Sequence, residues 1–426
     1  MIKGKGLSHS ISLTQYQRFM RMVQLLGPGV LMATAAVGGS HLVASTQAGA
    51  KFGWQLVILI LAVNVLKYPF FRAGVSYTIS TKQTLQYGYH QMGKGYLVVA
   101  LCLNALASVV NAAALLLFAA SLLSYFLPFN ISIAIASVAI LGAILFILLA
   151  GHFEALEGVA KAIMGVLVLA TIAAFCAAVI NIEPRPANFE SPSPWTLATV
   201  GFLVVTMGWM PAPIEISSIT SLWLKRQCKT QAVTPKNALF DFNLGYAVTT
   251  ILALLFLGLG ALVLHGSGET LATGGIGFSQ QLVSLYANTI GDWAHWLIAI
   301  VAFLCIFGSA LTVYDGYARV IAEAISLVLP KKMARDAVFA PVLLAMAAIS
   351  FSIVLFFKSA LLAMLGFAMT LAFVTTPMFA WLNHRLVKSA VLHEDAKASW
   401  WVTLLSYVGL VYLFGFLLLF VWWKWG

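Results

Sequence analysis

Residues 27–54 read GPGVLMATAAVGGSHLVASTQAGAKFGW, an apolar stretch long enough to cross a bilayer and interrupted in its middle. The interruption is formed by Gly38, Gly39, Ser40 and His41. Two glycines and a serine free backbone polar groups that hydrocarbon cannot satisfy. Such backbone is tolerated at membrane depth only inside protein or along a cavity. The stretch therefore predicts a broken transmembrane helix whose break faces an internal site.

A second interruption, MGWMPAP at residues 207–213, lies in a later apolar segment. Pro211 and Pro213 each remove a backbone donor, so carbonyl groups one turn earlier are left free. Interrupted segments at corresponding positions of two halves are the best sequence indication of a transporter's binding site. We therefore expect the two breaks to face each other across a substrate.

The composition is that of a membrane protein. Hydrophobic residues make up 62% of the 426 residues, charged residues make up 9%, and the mean hydropathy is +0.96. Soluble domains carry about 25% charged residues. Because runs of about 20 apolar residues recur along the chain, we predict an all-α polytopic membrane protein. The polar, basic start has no signal-peptide pattern, so no cleaved leader is expected.

The apolar runs predict eleven spans in one transmembrane domain that covers residues 1–426. Spans 1–5 fall within 1–182, spans 6–10 within 195–390, and an extra helix occupies 400–426. The broken spans come first in each half, which predicts a five-plus-five inverted repeat. The predicted spans are 27–50, 55–78, 96–127, 131–150, 158–182, 195–222, 241–265, 291–325, 336–356, 359–383 and 400–423.

The net charge of +11 is distributed as an orientation signal. With the N-terminus in the cytoplasm, nearly all of the lysines and arginines fall on the inner side. Those on the outer side are Lys51, Arg185, Lys358 and Lys424. This bias predicts a cytoplasmic N-terminus and an outer C-terminus, and the compact design suits a bacterial inner (plasma) membrane. No basic stripe with interleaved aromatic residues is present, so nucleic acid is excluded as a partner.

The residues at the breaks are the candidate substrate-binding residues. They are Gly38, Gly39, Ser40, His41, Met207, Trp209, Met210 and Pro211. The Met210 thioether is a soft ligand that favours transition metals over magnesium or calcium. An imidazole titrates near neutrality, so His41 is a candidate for a substrate-facing or proton-linked role. His41 and Met210 are therefore the candidate metal ligands.

Ionisable side chains at membrane depth are costly and indicate function. Glu215 in span 6, Asp315 in span 8 and Lys67 in span 2 are the candidates for coupling or gating. The alternative is structural, with Lys67 paired to Glu215 or to Asp315 so that the pair holds helices together. A third alternative places these residues in an exposed vestibule.

These segments resemble the Nramp family of proton-coupled divalent metal cation transporters. The shared features are the Gly27-Pro28-Gly29 start, the run from Gln47 to Trp54, and Met210-Pro211 in span 6. Tyr314-Asp315-Gly316 in span 8 is similar to the family's Tyr-Ala-Gly stretch. The resemblance implies the broken-helix fold of the amino-acid–polyamine–organocation type, with a divalent metal ion as cargo, symport with protons, and a bacterial origin.

The chain departs from the family pattern at the residues that bind the metal and carry protons in the family. The family's first-span signature is Asp-Pro-Gly-Asn, where this chain has Gly38 to His41. Its sixth-span signature is Met-Pro-His-Asn, where this chain keeps Met210 and Pro211 but has Ala212 and Pro213. The acidic residues that the family carries along span 3 are replaced by neutral ones, including two asparagines. The resemblance thus implies a divergent member with a rewritten metal site.

Two functions remain open from the sequence. The first is a secondary-active transporter of a divalent transition metal, with His41, Met210 and backbone oxygens as ligands. The second is a transporter of a small organic solute on the same scaffold, because helix N-termini at the breaks attract carboxylate or phosphate groups. A non-transporting receptor is a third and weaker alternative, and no enzyme activity and no cofactor are expected. The expected partners are the cargo, the lipid bilayer and protons, and the oligomeric state is left open.

Overall fold

The computed structural model describes residues 26–127, 131–151, 153–181, 186, 188–268, 272–291, 293, 295–329 and 335–426. Within these ranges the secondary structure is helical and contains no strand. This confirms the predicted all-α class. Long apolar helices satisfy every backbone polar group within the segment, which is why they can cross hydrocarbon.

The described chain contains fifteen α-helices, joined by short 3₁₀ and π-helical turns. In chain order they are α1 Pro28–Ala36, α2 Thr46–Phe52, α3 Val57–Thr81, α4 Leu85–Met92, α5 Lys94–Phe126, α6 Ile133–Leu149, α7 Phe153–Ile180, α8 Val200–Gly208, α9 Ile216–Thr230, α10 Pro235–Leu259, α11 Gly275–Ile290, α12 His295–Val328, α13 Arg335–Phe357, α14 Leu361–Ser389 and α15 Trp400–Trp425.

Eight helical segments of the described ranges are long and apolar enough to cross a bilayer. Two shorter apolar segments, Ile133–Leu149 and Leu197–Gly208, accompany them. The chain is therefore an integral membrane protein, whereas the count of eleven spans stays a prediction. The boundaries of the two repeats and of the extra helix also stay predictions.

The first break lies between α1 and α2. Helix α1 ends at Ala36, and Val37 leaves the helical region with φ −81° and ψ 86°. The chain returns to helical geometry at Gly39 and continues as a π-helical turn, Ser40–Ser45, into α2. The sequence prediction of a broken first span is confirmed, and the break is only about two residues long.

The second break is longer and separates α8 from α9. Helix α8 ends at Gly208, and α9 begins at Ile216 with Glu215 at its N-cap position. Pro211 and Pro213 lie between them, where proline prevents a continuous helix. Every residue from Met207 to Leu224 is buried, so this non-helical backbone is enclosed by protein.

Glycines bring the two halves of the first broken span against α10. A β-carbon at Gly29 would collide with the carbonyl of Asp241, and one at Gly49 would collide with the carbonyl of Leu257. Asp241 also accepts hydrogen bonds from the backbone N–H groups of Gly27 (3.2 Å) and Gly29 (2.7 Å). Small residues allow this close approach of membrane helices. The contact fixes α1 and α2 on one support, so the break between them has a defined position.

Candidate functional site

A cavity of about 20 Å³ lies where the two breaks approach each other. Gly38, Gly39 and Ser40 of the first break line it, together with Trp209 of the second break and Asn111 of α5. The remaining wall is apolar and is formed by Ala35, Ala36, Leu115, Pro213, Ile216 and Val313. A cavity of this size holds about one water molecule or one small ion. The structure thus brings residues of both predicted breaks to one small cavity.

Trp209 closes this cavity against Gly39. A β-carbon at Gly39 would lie 2.8 Å from the Trp209 ring, closer than carbon atoms approach. The indole Nε1 of Trp209 is buried and has no hydrogen-bond partner among the described residues. The glycine is therefore required at this point by the indole, and the indole N–H is a donor that a ligand can use.

The backbone carbonyls freed at the first break are bonded by α12. Ser309 Oγ donates to the carbonyl oxygens of Thr34 (2.8 Å) and Val37 (3.2 Å). Cys305 Sγ lies 3.1 Å from the Val37 carbonyl oxygen. Because buried backbone groups need partners, these side chains keep the break stable without water. Sequence analysis missed Ser309, whose polar side chain within an apolar span was the available signal.

His41 faces away from the cavity and towards α10. Its Nε2 donates to the carbonyl oxygen of Thr249 at 2.9 Å, and its Nδ1 lies 2.7 Å from Ser40 Oγ. Both ring nitrogens are therefore engaged, and the side chain is fully buried. Metal ligation by His41 requires one of these bonds to break, and it stays a prediction.

The two methionines of the second break also lie outside the cavity lining. Met210 Sδ lies 3.8 Å from Ser45 Oγ, in the turn between the two halves of the first span. Met207 Sδ accepts a hydrogen bond from Tyr412 of α15 at 2.8 Å. Pro211, the residue after Met210, is buried as well. The structure thus separates Met207, Met210 and His41 from Gly38, Gly39, Ser40 and Trp209.

Lys67 of α3 closes the broken end of α8. Its Nζ donates to the carbonyl oxygens of Met207 (2.7 Å) and Gly208 (3.1 Å), and the side chain has no exposed surface. A cation at a helix C-terminus neutralises the partial negative charge of the last carbonyl groups. Lys67 therefore occupies the carbonyl groups that the prolines were predicted to free.

Glu215 connects to the cavity through two hydrogen bonds. The Asn111 amide donates to the Tyr317 hydroxyl (2.9 Å), which donates to Glu215 Oε1 (3.3 Å). The second carboxylate oxygen, Oε2, is buried and has no hydrogen-bond partner among the described residues. Since Asn111 itself lines the cavity, a carboxylate stands two hydrogen bonds behind the cavity wall.

Asp315 pairs with Arg319 one turn along α12. The distance from Arg319 Nε to Asp315 Oδ1 is 2.7 Å, and the carboxylate is buried. The guanidinium also stacks over the Phe339 ring at 4.5 Å. The spacing of four residues in the sequence was the signal for this pair. Asp315 thus pairs with Arg319 while Lys67 caps a helix, so the alternative of a Lys67–Asp315 pair is replaced by two separate arrangements. The other alternative, a pair of Lys67 with Glu215, stays a prediction.

No group of three histidine, cysteine, aspartate or glutamate side chains is gathered into a metal-binding cluster in the ranges the structure describes. Neutral oxygen donors nearest the cavity are the Ser40 hydroxyl and the Asn111 amide. Such donors bind a dication more weakly than carboxylates do, because they supply no negative charge. The arrangement is suited to a small cargo held by neutral groups with one carboxylate nearby.

Two broken helices that meet at one cavity, within a chain whose described residues are all-helical, define the class of membrane transporters with discontinuous helices. The sequence model of the family Nramp, described as Natural resistance-associated macrophage protein-like, matches residues 29–423. The chain belongs to the Nramp family. Its membership confirms the resemblance seen in the two broken spans.

Three similar proteins illustrate the relationship. The uncharacterised protein PM0681 of Pasteurella multocida is 45% identical over 399 residues, covering 93% of this chain and 91% of that protein. The divalent metal cation transporter MntH of Staphylococcus saprophyticus is 24% identical over 279 residues, covering 61% and 60%. A crystal structure of a mutant manganese transporter from Eremococcus coleocola superposes with a TM-score of 0.66 at 14% identity, covering 96% and 88%. The last comparison confirms the predicted transporter fold.

Proposed function

We propose that this chain is a secondary-active transporter that carries a divalent transition-metal ion through the cavity between its two broken helices. Membership of the Nramp family supports a metal ion as cargo. The observation that carries the proposal is the cavity at which Gly38, Gly39 and Ser40 meet Trp209. A cavity for about one small ion between two broken helices is the position at which alternating-access transporters bind their cargo.

Glu215 supplies the negative charge for this cargo. Its free Oε2 and its link through Tyr317 to Asn111 support this role, because a dehydrated cation needs a carboxylate nearby. Asp315 is paired with Arg319, and Asp241 accepts hydrogen bonds from the start of α1. Of these three carboxylates, Glu215 is therefore the one proposed to balance the charge of the cargo. His41 and Met210 become ligands when the breaks rearrange.

Glu215 is also the proposed proton carrier. Its carboxylate accepts a hydrogen bond from the Tyr317 hydroxyl of α12, and Lys67 of α3 is a cation that acts on it electrostatically. A buried carboxylate exchanges a proton when a cation arrives or leaves, because burial disfavours an isolated charge. Glu215→Gln keeps the side-chain shape and removes the proton site, so metal uptake should lose its dependence on pH. Unchanged pH dependence in this variant would exclude Glu215 as the carrier.

A small organic solute is the second candidate cargo. Lys67 supports it, because this ammonium group already binds the carbonyl oxygens of Met207 and Gly208, which would otherwise attract a metal. The cavity wall also combines the Trp209 ring and indole N–H with neutral donors and carries no acidic side chain among its described residues. Such a wall suits a small zwitterion or carboxylate once the cavity opens.

Binding to the purified chain distinguishes the two cargoes. Calorimetric titration with manganese, cadmium and nickel should give heat for at least one metal, and Glu215→Gln should weaken that binding by about tenfold or more, because its carboxylate is lost. A thermal-shift panel of amino acids, organic acids and nucleobases serves as the parallel test. No binding heat with any of the three metals, together with a thermal shift produced by one organic compound, would assign the cavity to the organic solute.

The orientation is part of the same proposal. The inner-side excess of lysine and arginine supports a cytoplasmic N-terminus and an outer C-terminus in a bacterial inner membrane. The family and the fold are those of transporters, which supports the absence of enzyme activity. The proposal includes a five-plus-five repeat within 1–182 and 195–390, in which the two broken spans would be the first span of each half.

A further inference from the structure

A second and larger cavity begins beside Pro69 and Phe70, just after Lys67 in α3, and extends along that helix to Ser76. Its volume is about 330 Å³, and it is enclosed by the second half of α3, the end of α14, the segment 390–398 and the first turns of α15. This volume falls within the range of small-molecule binding sites. Neither the transport cavity nor the family resemblance uses this space.

The lining combines basic and apolar side chains. Arg72 of α3, His384 and Lys388 of α14, and Lys397 of the connecting segment supply the basic groups. The described lining residues include no aspartate or glutamate, and Phe70, Leu392 and Val402 are among its apolar members. A cavity that is basic at one part and apolar at another fits a molecule with an anionic head and a hydrocarbon tail.

The basic groups retain donors for a ligand. Arg72 Nη2 donates to the Lys397 carbonyl oxygen at 3.1 Å, and the guanidinium also interacts with the Tyr68 hydroxyl, so only part of its five N–H groups is used. Lys388 Nζ lies 3.3 Å from the Tyr407 hydroxyl. The ammonium of Lys397 is held by Glu394 at 2.6 Å, so it contributes less than the other two. Arg72 and Lys388 are therefore the groups available to a phosphate.

The position of the cavity matches the level of lipid headgroups. Trp400 and Trp401 begin α15, stack on each other, and are 63% and 59% exposed. Exposed tryptophans at a helix end mark the membrane–water interface. Val402 and Thr403, the next two residues, line the cavity. Helix α15 forms one wall and is mostly unburied, so lipid has access from the bilayer.

We propose that this cavity binds the phosphate headgroup of an anionic phospholipid from the inner leaflet, with Arg72 and Lys388 as the phosphate-binding residues. The N-terminal turn of α15 adds to the attraction, because a helix N-terminus favours anions and Ser399 makes no side-chain cap there. The leaflet assignment rests on the proposed orientation, and the site itself does not.

The test is binding of phosphatidylglycerol to the purified full chain, measured by native mass spectrometry in detergent. The double variant Arg72→Gln with Lys388→Gln should bind about 30-fold more weakly, because each basic group near the membrane surface contributes a factor of about five. The control variant Lys94→Gln with Lys229→Gln removes two exposed charges outside the cavity and should bind like the wild type. Equal weakening in both variants would overturn the assignment.

Two further experiments test whether the ligand is a lipid and whether the weaker binding comes from the cavity itself. Thr403→Trp fills the cavity mouth without changing charge and should also weaken binding. Glycerol 3-phosphate, which has the phosphate but no acyl chains, should not displace the lipid. Displacement at equal concentration would show that the cavity takes a soluble phosphate compound and would overturn the lipid assignment. Full phosphatidylglycerol binding by Thr403→Trp would place the lipid elsewhere.

Discussion

The ammonium group of Lys67 lies 2.7 Å from the carbonyl oxygen of Met207, so a fully buried cation closes the broken end of α8. A second bond, 3.1 Å long, joins it to the Gly208 carbonyl. One residue from α3 thereby satisfies the backbone that the second break exposes. It also places a positive charge beside the proposed cargo path. Lys67 therefore contributes to the stability of the second break and to the charge that a cargo meets there.

Replacing Lys67 by methionine should destabilise the protein. The change keeps much of the side-chain volume but leaves two buried carbonyl groups without their charged donor, at a cost of about 3 kcal/mol. The thermal unfolding midpoint in detergent should fall clearly. Lys358→Met, which removes an exposed lysine at the start of the segment before α14, should leave it unchanged. Equal midpoints for wild type and Lys67→Met would contradict the cap.

Removal of the Ser309 hydroxyl should weaken the first break. Ser309→Ala leaves the Thr34 carbonyl, and partly the Val37 carbonyl, without a donor, at a cost of about 1–3 kcal/mol. Ser352→Ala removes an exposed hydroxyl that bonds only within its own helix, and it should cost less than about 0.5 kcal/mol. The comparison is made by chemical denaturation. Similar losses in the two variants would argue against a special role for Ser309.

Asp241→Asn should loosen the start of α1. The carboxylate bonds the N–H groups of Gly27 and Gly29 and carries negative charge at a helix N-terminus. Loss of that charge should cost about 1 kcal/mol. Hydrogen exchange of the amides at the start of α1 should accelerate. Asp395→Asn breaks an exposed pair with Lys236 at 3.8 Å and provides the matched control, since surface pairs contribute little.

Gly39→Val should close the transport cavity. Its β-carbon would meet the Trp209 ring at 2.8 Å, so the cavity that holds about one ion has no room left. Gly366→Val in α14 adds the same side chain where no atom lies within 4 Å and is the control. Gly39→Val should also lower the unfolding midpoint relative to Gly366→Val, because overpacking at Trp209 costs about 1–3 kcal/mol, so transport is compared at equal amounts of folded protein. Trp209→Leu in the Gly39→Val background should restore part of the transport.

The sequence was sufficient for the class, for both breaks and for the family, because glycine and proline in apolar runs act through the backbone. It could not give side-chain direction. His41 lies at the break but turns to Thr249, and Met210 turns to Ser45, because helix rotation is decided by packing between distant segments. The link from Asn111 through Tyr317 to Glu215 joins three helical segments that are far apart in the chain. No local pattern predicts such a contact.

For Lys67, sequence analysis recognised the residue as special but did not identify its partners. Its position in an apolar span predicted a special role, and the proposed alternatives were an ion pair or a gate. Its partners are carbonyl groups, which every residue possesses and which sequence analysis cannot single out. Proline at the second break was the available signal, because it predicted free carbonyl groups near Met207.

The most direct test is uptake of divalent metals into proteoliposomes that contain the purified chain. Manganese, cadmium and nickel are offered to the wild type, to Gly39→Val and to the control Gly366→Val. The account predicts that at least one metal enters with the wild type and with the control. Gly39→Val should reduce this uptake by about tenfold or more, because a loss of about 1.4 kcal/mol in binding of the ion at the filled cavity is already a factor of ten. Failure of all three metals to enter, or equal uptake by Gly39→Val, would contradict it.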